Sequence, residues 1–178
     1  MKAEFDCPAQ DNGVISCLSW NEAVPYILAA GSTVGNVYIW DMKKNSLHMS
    51  ICDPNLSNDD ELRQNAGIYT QVEWMGDGFN FLMSYDHPDY QFMIQYDVRQ
   101  SSAPSGDFHG GHSKSIIGIA KNPHDDKYVI SLGKDNVVTC WNFETVVNFI
   151  QSFPYLFATF NYSSNFINFF NVLIEIFI

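Results

Sequence analysis

The sequence predicts an all-β chain built from a repeated unit of short strands, and three observations predict it. An aromatic residue followed by Asp or Asn recurs as Trp40-Asp41, Tyr96-Asp97 and Trp141-Asn142, spaced 56 and 45 residues apart. Two short β-rich runs precede each recurrence at matching distances. No stretch sustains the 3.6-residue apolar period of an amphipathic helix.

Each element follows from local residue chemistry. In the first unit Trp20 stands 20 residues before Trp40, at the end of an apolar run. A second run covers residues 26–30, and Gly31-Ser32 with Gly35-Asn36 supply turn signals before residues 37–41. In the second unit Trp74 precedes Tyr96 by 22 residues. Residues 79–83 form the middle run, and Asp86-His87-Pro88-Asp89 mark a longer turn before residues 93–97. In the third unit Lys121 closes the run 116–120, residues 128–132 form the middle run, and Gly133-Lys134-Asp135-Asn136 mark a tight turn before residues 138–142. These runs are rich in β-branched and aromatic residues and are bounded by Gly, Asp, Asn or Pro, as strands are. The β-branched residues near Val146 suit a further strand better than a helix. A fourth copy is expected after it. Phe157 lies in the apolar run 156–160, and Phe177 takes the aromatic position 36 residues after Trp141.

Composition narrows the function. The chain has 178 residues, 15% aromatic and 16% charged, with a formal net charge of −11. That aromatic content excludes an acidic disordered tail. The negative charge opposes binding nucleic acid or an anionic membrane through a broad basic face. After Lys134 the only charged residues are Asp135, Glu144 and Glu175. The tail is too interrupted by Asn, Gln, Ser and Pro to read as a membrane span, so covered strands are expected there. The cysteines Cys7, Cys17, Cys52 and Cys140 form no C-x-x-C and no zinc-finger spacing, so free thiols are expected. His109-Gly110-Gly111-His112 has two histidines but only Asp107 as a nearby carboxylate, so no metal is expected. Gly31-Ser32-Thr33-Val34-Gly35 lacks the G-K-[ST] of a phosphate loop, and no nucleophile elbow appears. Asp59-Asp60-Glu61 and Asp125-Asp126 read as solvated acidic loops. No cofactor and no catalytic residue are expected.

A period near 45 residues with an aromatic-Asp signature is that of a four-stranded propeller blade. At this point the chain resembles the WD-repeat family. Unit three carries the fullest signature, with Gly111-His112, then Asp135, then Trp141-Asn142. The resemblance implies that His112, Ser131, Asp135 and Trp141 form a hydrogen-bonded chain across that blade. A buried imidazole, carboxylate, hydroxyl and indole N–H must satisfy one another in any case. Unit one has Val34 where the carboxylate would stand, and unit two has Tyr96 for Trp, so both are expected to rely on apolar packing. The repeat-signature aromatics are Trp40, Tyr96, Trp141 and Phe177.

The order of segments 16–21, 37–44, 94–99, Ala103-Pro104, Gly111-His112, 116–118, 133–136 and Trp141-Asn142 is similar to the N-terminal propeller of the larger subunits of the COPII outer coat. Lys121 stands where that family tends to have Trp. The family's ring has seven blades, so this chain is expected to hold about three and a half blades of an incomplete ring. Their expected limits are 14–51, 68–108, 112–150 and 155–178, the last incomplete, with an acidic inter-blade insertion at 52–67. The resemblance implies a fragment or truncated product acting as a non-catalytic coat scaffold in transport from the endoplasmic reticulum to the Golgi. It implies a cytoplasmic chain, peripheral on endoplasmic reticulum exit sites and COPII vesicles, with the smaller WD-repeat coat subunit as partner. The alternative is a general WD-repeat adaptor, of the ubiquitin-ligase receptor or chromatin type, outside vesicle transport.

Overall fold

The computed structural model describes residues 13–52, 70–100, 103–143 and 147–152. Among them lie twelve strands in three antiparallel four-stranded sheets. The first sheet holds β1 (Ile15–Trp20), β2 (Ile27–Ser32), β3 (Asn36–Asp41) and β4 (Ser46–Cys52) in chain order. The second holds β5 (Thr70–Trp74), β6 (Asn80–Tyr85), β7 (Met93–Asp97) and β8 (Gly106–Phe108). The third holds β9 (Ile116–Lys121), β10 (Tyr128–Gly133), β11 (Val137–Asn142) and β12 (Val147–Ser152). Each is a meander, the arrangement of a propeller blade. The fourth copy, including Phe157 and Phe177, and most of the acidic insertion lie outside the described residues.

The middle strands sit further along the chain than local pattern suggests. Gly31 and Gly133 look like turn residues, yet both belong to strands. Gly31 pairs with Cys17 on one side and Val37 on the other, and Gly133 pairs with Ile116. Pairing, from both sides at Gly31 and from one at Gly133, holds a glycine extended against its own preference. Conversely Tyr26 and Phe79 fall just outside β2 and β6. Both stay exposed, with a cation over each ring: Lys43 Nζ lies 5.5 Å from the Tyr26 centroid and the Arg99 guanidinium 4.4 Å from that of Phe79.

The three sheets share one register. Trp20 pairs with Leu28 and Leu28 with Trp40. Trp74 pairs with Phe81 and Phe81 with Tyr96. Lys121 pairs with Val129 and Val129 with Trp141. Side chains directly opposite in neighbouring strands share a face. So each row crosses one face of its blade, and Lys121 is the odd member.

Blades stack by a repeated rule. The face carrying the aromatic row of one blade meets the opposite face of the blade before it. Ala29, Val37, Ile39 and Ile51 of the first sheet thus form one core with Val72, Trp74, Phe81, Met83, Ile94 and Tyr96 of the second. Leu82 and Met93 of the second meet Ile116, Val129 and Trp141 of the third. A smaller cluster, Leu132 and Val138, lies on the third blade's other face. At the first blade the row face leaves Leu18 and Trp20 exposed, together with Val14 at its edge.

Candidate functional site: the buried polar row and the inter-blade contacts

The structure brings His112, Ser131, Asp135 and Trp141 together. Strand pairing sets Ser131 on β10 and Trp141 on β11 two positions apart on one face. The loop before β9 then lays His112 over them. The Trp141 indole Nε1–H donates to Ser131 Oγ at 2.7 Å. Ser131 Oγ lies 2.7 Å from His112 Nε2, and His112 Nδ1 lies 3.2 Å from Asp135 Oδ1. Because the indole can only donate, the serine hydroxyl donates onward to Nε2, and Nδ1–H then donates to Asp135. That order requires a neutral imidazole. Burial, opposed by the hydrogen bond to Asp135, does lower the His112 pKa from its ordinary value.

Asp135 does more than hold the imidazole. Its carboxylate accepts the backbone N–H of Ser113 at 2.7 Å and of Val137 at 3.1 Å. Desolvation pushes its pKa upward. These amides and His112 outweigh that and leave it below the usual value. Thr139 Oγ1 donates to Gly111 O at 2.9 Å, completing the seam between loop and sheet. The seam needs glycine at two places. A Cβ on Gly111 would lie 2.5 Å from Trp141 Cζ2, and one on Gly133 would strike both Asp135 and His112.

Serine, histidine and aspartate in this order are the parts of a nucleophilic triad. Here the environment denies them that chemistry. Ser131 is fully buried, and its oxygen already accepts the indole N–H. A nucleophile needs a lone pair facing a substrate, and no substrate reaches this one. The row is a polar brace inside a sheet.

The other blades lack the brace for visible reasons. In the shared register Ala30 and Met83 stand where the third blade has Ser131. Trp40 Nε1 is buried with no hydrogen-bond partner among the described residues. Around Tyr96 the row is aromatic, with Phe81 stacked on it at 5.9 Å and Trp74 edge-on to Phe81 at 5.5 Å.

Sequence reasoning missed the contacts between blades. Glu73 on β5 accepts Ser19 Oγ of the first blade at 3.1 Å and the Lys121 backbone N–H of the third at 3.3 Å. Ser19 Oγ also accepts Trp74 N–H at 3.0 Å. Burial raises the Glu73 pKa, against the opposing hydrogen bonds and the Lys121 charge. At the opposite ends of these strands Asp86 accepts Ser115 Oγ at 2.9 Å and pairs with Lys134 Nζ at 2.7 Å. A Glu between two apolar residues, Val72 and Trp74, was the one available signal. His109 faces Phe92, ring centroids 4.3 Å apart, rather than His112. Among the described residues no group of three or more His, Cys, Asp or Glu could hold a metal ion. Among the described residues Cys17, Cys52 and Cys140 form no disulfide, Cys7 lies outside them, and burial pushes the Cys17 pKa to about 11. Among the described residues no helix is long and apolar enough to cross a membrane.

Comparison with known proteins returned consistent relatives. The chain is 34% identical over 130 residues to the protein transport protein Sec31A of Danio rerio, covering 72% of this chain and 10% of that one. It is 31% identical over 134 residues to the protein transport protein sec31 of Aspergillus oryzae, covering 74% and 10%. It is 28% identical over 137 residues to SEC31 of Dictyostelium discoideum, covering 76% and 9%. The chain thus spans about a tenth of the length of these relatives. No family model matches it. Among solved structures, one described as COPII on membranes, outer coat vertex, superposes with a TM-score of 0.58 at 24% identity, covering 74% of this chain and 33% of that one. A chain of the mitotic checkpoint complex superposes with a TM-score of 0.55 at 20% identity, covering 75% and 36%. At such identities the structural likeness speaks for the fold.

Proposed function

Because this chain is a WD-repeat propeller chain of the Sec31 type, we propose that it serves as a non-catalytic scaffold in the COPII coat, in transport from the endoplasmic reticulum to the Golgi. The observation that carries the reading is the 34% identity to a Sec31A across 130 residues. That length is roughly the three described blades. The blade architecture agrees with such a role. Ser131 and His112 of the third blade are turned inward as a brace, which suits a scaffold's need for rigid blades.

We read the chain as a partial propeller with blades at 14–51, 68–108 and 112–150, a part-blade at 155–178, and an acidic insertion at 52–67. In this reading His112, Ser131, Asp135 and Trp141 are structural. The partner is the smaller WD-repeat coat subunit, and the chain sits on the cytoplasmic side at exit sites, held to the membrane through the coat. Expression of a tagged chain tests this. Co-purification of coat subunits and punctate staining with an exit-site marker are the expected results. A diffuse chain with no coat subunit in the pulldown would overturn the proposal. The alternative is a general WD-repeat adaptor outside vesicle transport; the structural likenesses speak for the fold and do not favour it. Proximity labelling that returned a ubiquitin-ligase or chromatin complex would support it instead.

A further inference from the structure

One axial end of the described arc is tied across all three blades. The β1–β2, β5–β6 and β9–β10 turns lie at this end, since each joins an inner strand to its neighbour in an antiparallel meander. They stack in series. Asn21 Nδ2 of the first turn donates to Gly78 O of the second at 3.0 Å. Gly78 has φ +72, and a Cβ there would lie 2.7 Å from Ala23 Cβ. Gly76 of the same turn lies under Asp126 of the third turn so closely that any Cβ would overlap the carboxylate. Blade to blade, the turns approach as near as glycine allows.

Lys121 stands at the centre of this stack, in the row position that Trp20 and Trp74 occupy in the other blades. Its side chain is only 5% exposed. Its ammonium pairs with Glu22 of the first blade and, at 3.2 Å, with Asp126 of its own. Its backbone N–H binds Glu73 of the second. One residue therefore touches carboxylates from three blades, and its pair with Glu22 spans 99 positions of sequence. A tryptophan at this position offers no such reach. Burying an ammonium is costly unless it is paired. Burial here opposes the charge, and the hydrogen bonds that the ammonium donates to Glu22 and Asp126 overcome it, so the Lys121 pKa stays above its ordinary value.

We propose that Lys121 is a three-blade clasp: through Glu22, Glu73 and Asp126 it fixes the pitch between the first and third blades at one axial end of the arc. The clasp is a conformational device of the fold and stands apart from any coat partner. Loss of the clasp leaves each sheet folded and frees the blades to tilt about the apolar seams.

A double-mutant cycle on the full chain tests it, with Glu22→Gln, Lys121→Met and the pair, read by hydrogen exchange of β1, β5 and β9 amides. Glu22→Gln alone is expected to speed exchange in β1 and β9 about threefold to tenfold, and to do nothing in the Lys121→Met background. The single-variant effect should shrink in about 1 M salt, where screening shortens to ~3 Å. A merely packed lysine would show no salt dependence and no coupling to Glu22. If Lys121→Met does not fold, Lys121→Arg tests the charge instead: its guanidinium keeps the pair, so slow exchange should persist in it and Glu22→Gln should speed exchange there as it does in the parent. Unchanged exchange in Glu22→Gln, or additive effects in the cycle, would overturn the proposal.

Discussion

Ser131 has two partners, and the consequence of losing it follows from that. Replacement by Ala leaves the Trp141 indole N–H and the His112 ring nitrogen buried without a mate. Each orphaned group costs about 1–3 kcal/mol, so Ser131→Ala is expected to lower unfolding free energy by at least about 2 kcal/mol in urea titration. The reverse experiment exists in the first blade. Ala30 sits opposite Tyr38 as Ser131 sits opposite Thr139, and Trp40 Nε1 lacks a partner among the described residues. Ala30→Ser is expected to raise stability by about 0.5–1 kcal/mol, and a loss there would mean the hydroxyl finds no room. Glu73 and His112 pull the pH profile in opposite directions. The Glu73 pKa is raised above 4.5, so its contribution is fully present at low pH and is lost as pH rises through the raised value. Glu73→Gln should therefore stabilise the chain at pH 7 and leave it little changed near pH 4. The His112 pKa is lowered below 6.5, so its contribution is present above that value and is lost as pH falls through the lowered one. In His112→Gln the melting temperature should fall less between pH 7 and pH 5 than in the parent.

At the scale of the element, the loop before β9 decides whether the third blade can seat its tryptophan. Gly110 and Gly111 are adjacent but do different things. Gly110 has φ +86 and open space around its Cα. Gly110→Ala should cost only the left-handed backbone strain, about 1–2 kcal/mol. Gly111 has no such backbone need, yet its missing Cβ is the space that Trp141 fills. Gly111→Ala should displace the indole, cost about 1–3 kcal/mol through overpacking, and blue- or red-shift the Trp141 fluorescence. An unchanged spectrum in Gly111→Ala would show that the loop, rather than the ring, gives way. The β10–β11 turn shows the same economy: Asn136 takes φ 64, a conformation Asn tolerates, so that Asp135 can face back on the loop.

For the whole molecule, stability resides in seams between neighbouring blades. Leu82 is fully buried and belongs to the core shared by the second and third blades. Leu82→Ala is expected to cost about 2–5 kcal/mol. In a stack of repeats the loss should appear at that interface first. Hydrogen exchange should therefore quicken in β9–β11 before it quickens in β1–β4. Uniform acceleration across all three sheets would mean that the arc unfolds as one unit.

Three strands of each blade and their order were legible in the sequence, because they rest on local chemistry; the fourth strands β4 and β8 were expected only from the repeat period, and the third blade's polar row only through the family resemblance. A short β-rich run, a turn residue and an aromatic at fixed spacing act within one blade. So do the offsets that align His112, Ser131, Asp135 and Trp141. Strand ends were less legible: Gly31 and Gly133 look like turn residues, and only pairing with neighbouring strands, on both sides for Gly31 and with Ile116 for Gly133, draws them into a sheet. The contacts of Glu73, Glu22 and Lys121 were not legible at all. Apart from the Lys121–Asp126 pair, their partners lie 48 to 99 positions apart. A charged residue in a strand pattern carries no mark of which blade will answer it. That pairing was decided by the tertiary structure, because only the stacking of blades brings Glu22 to the buried Lys121 ammonium and Glu73 to its backbone N–H.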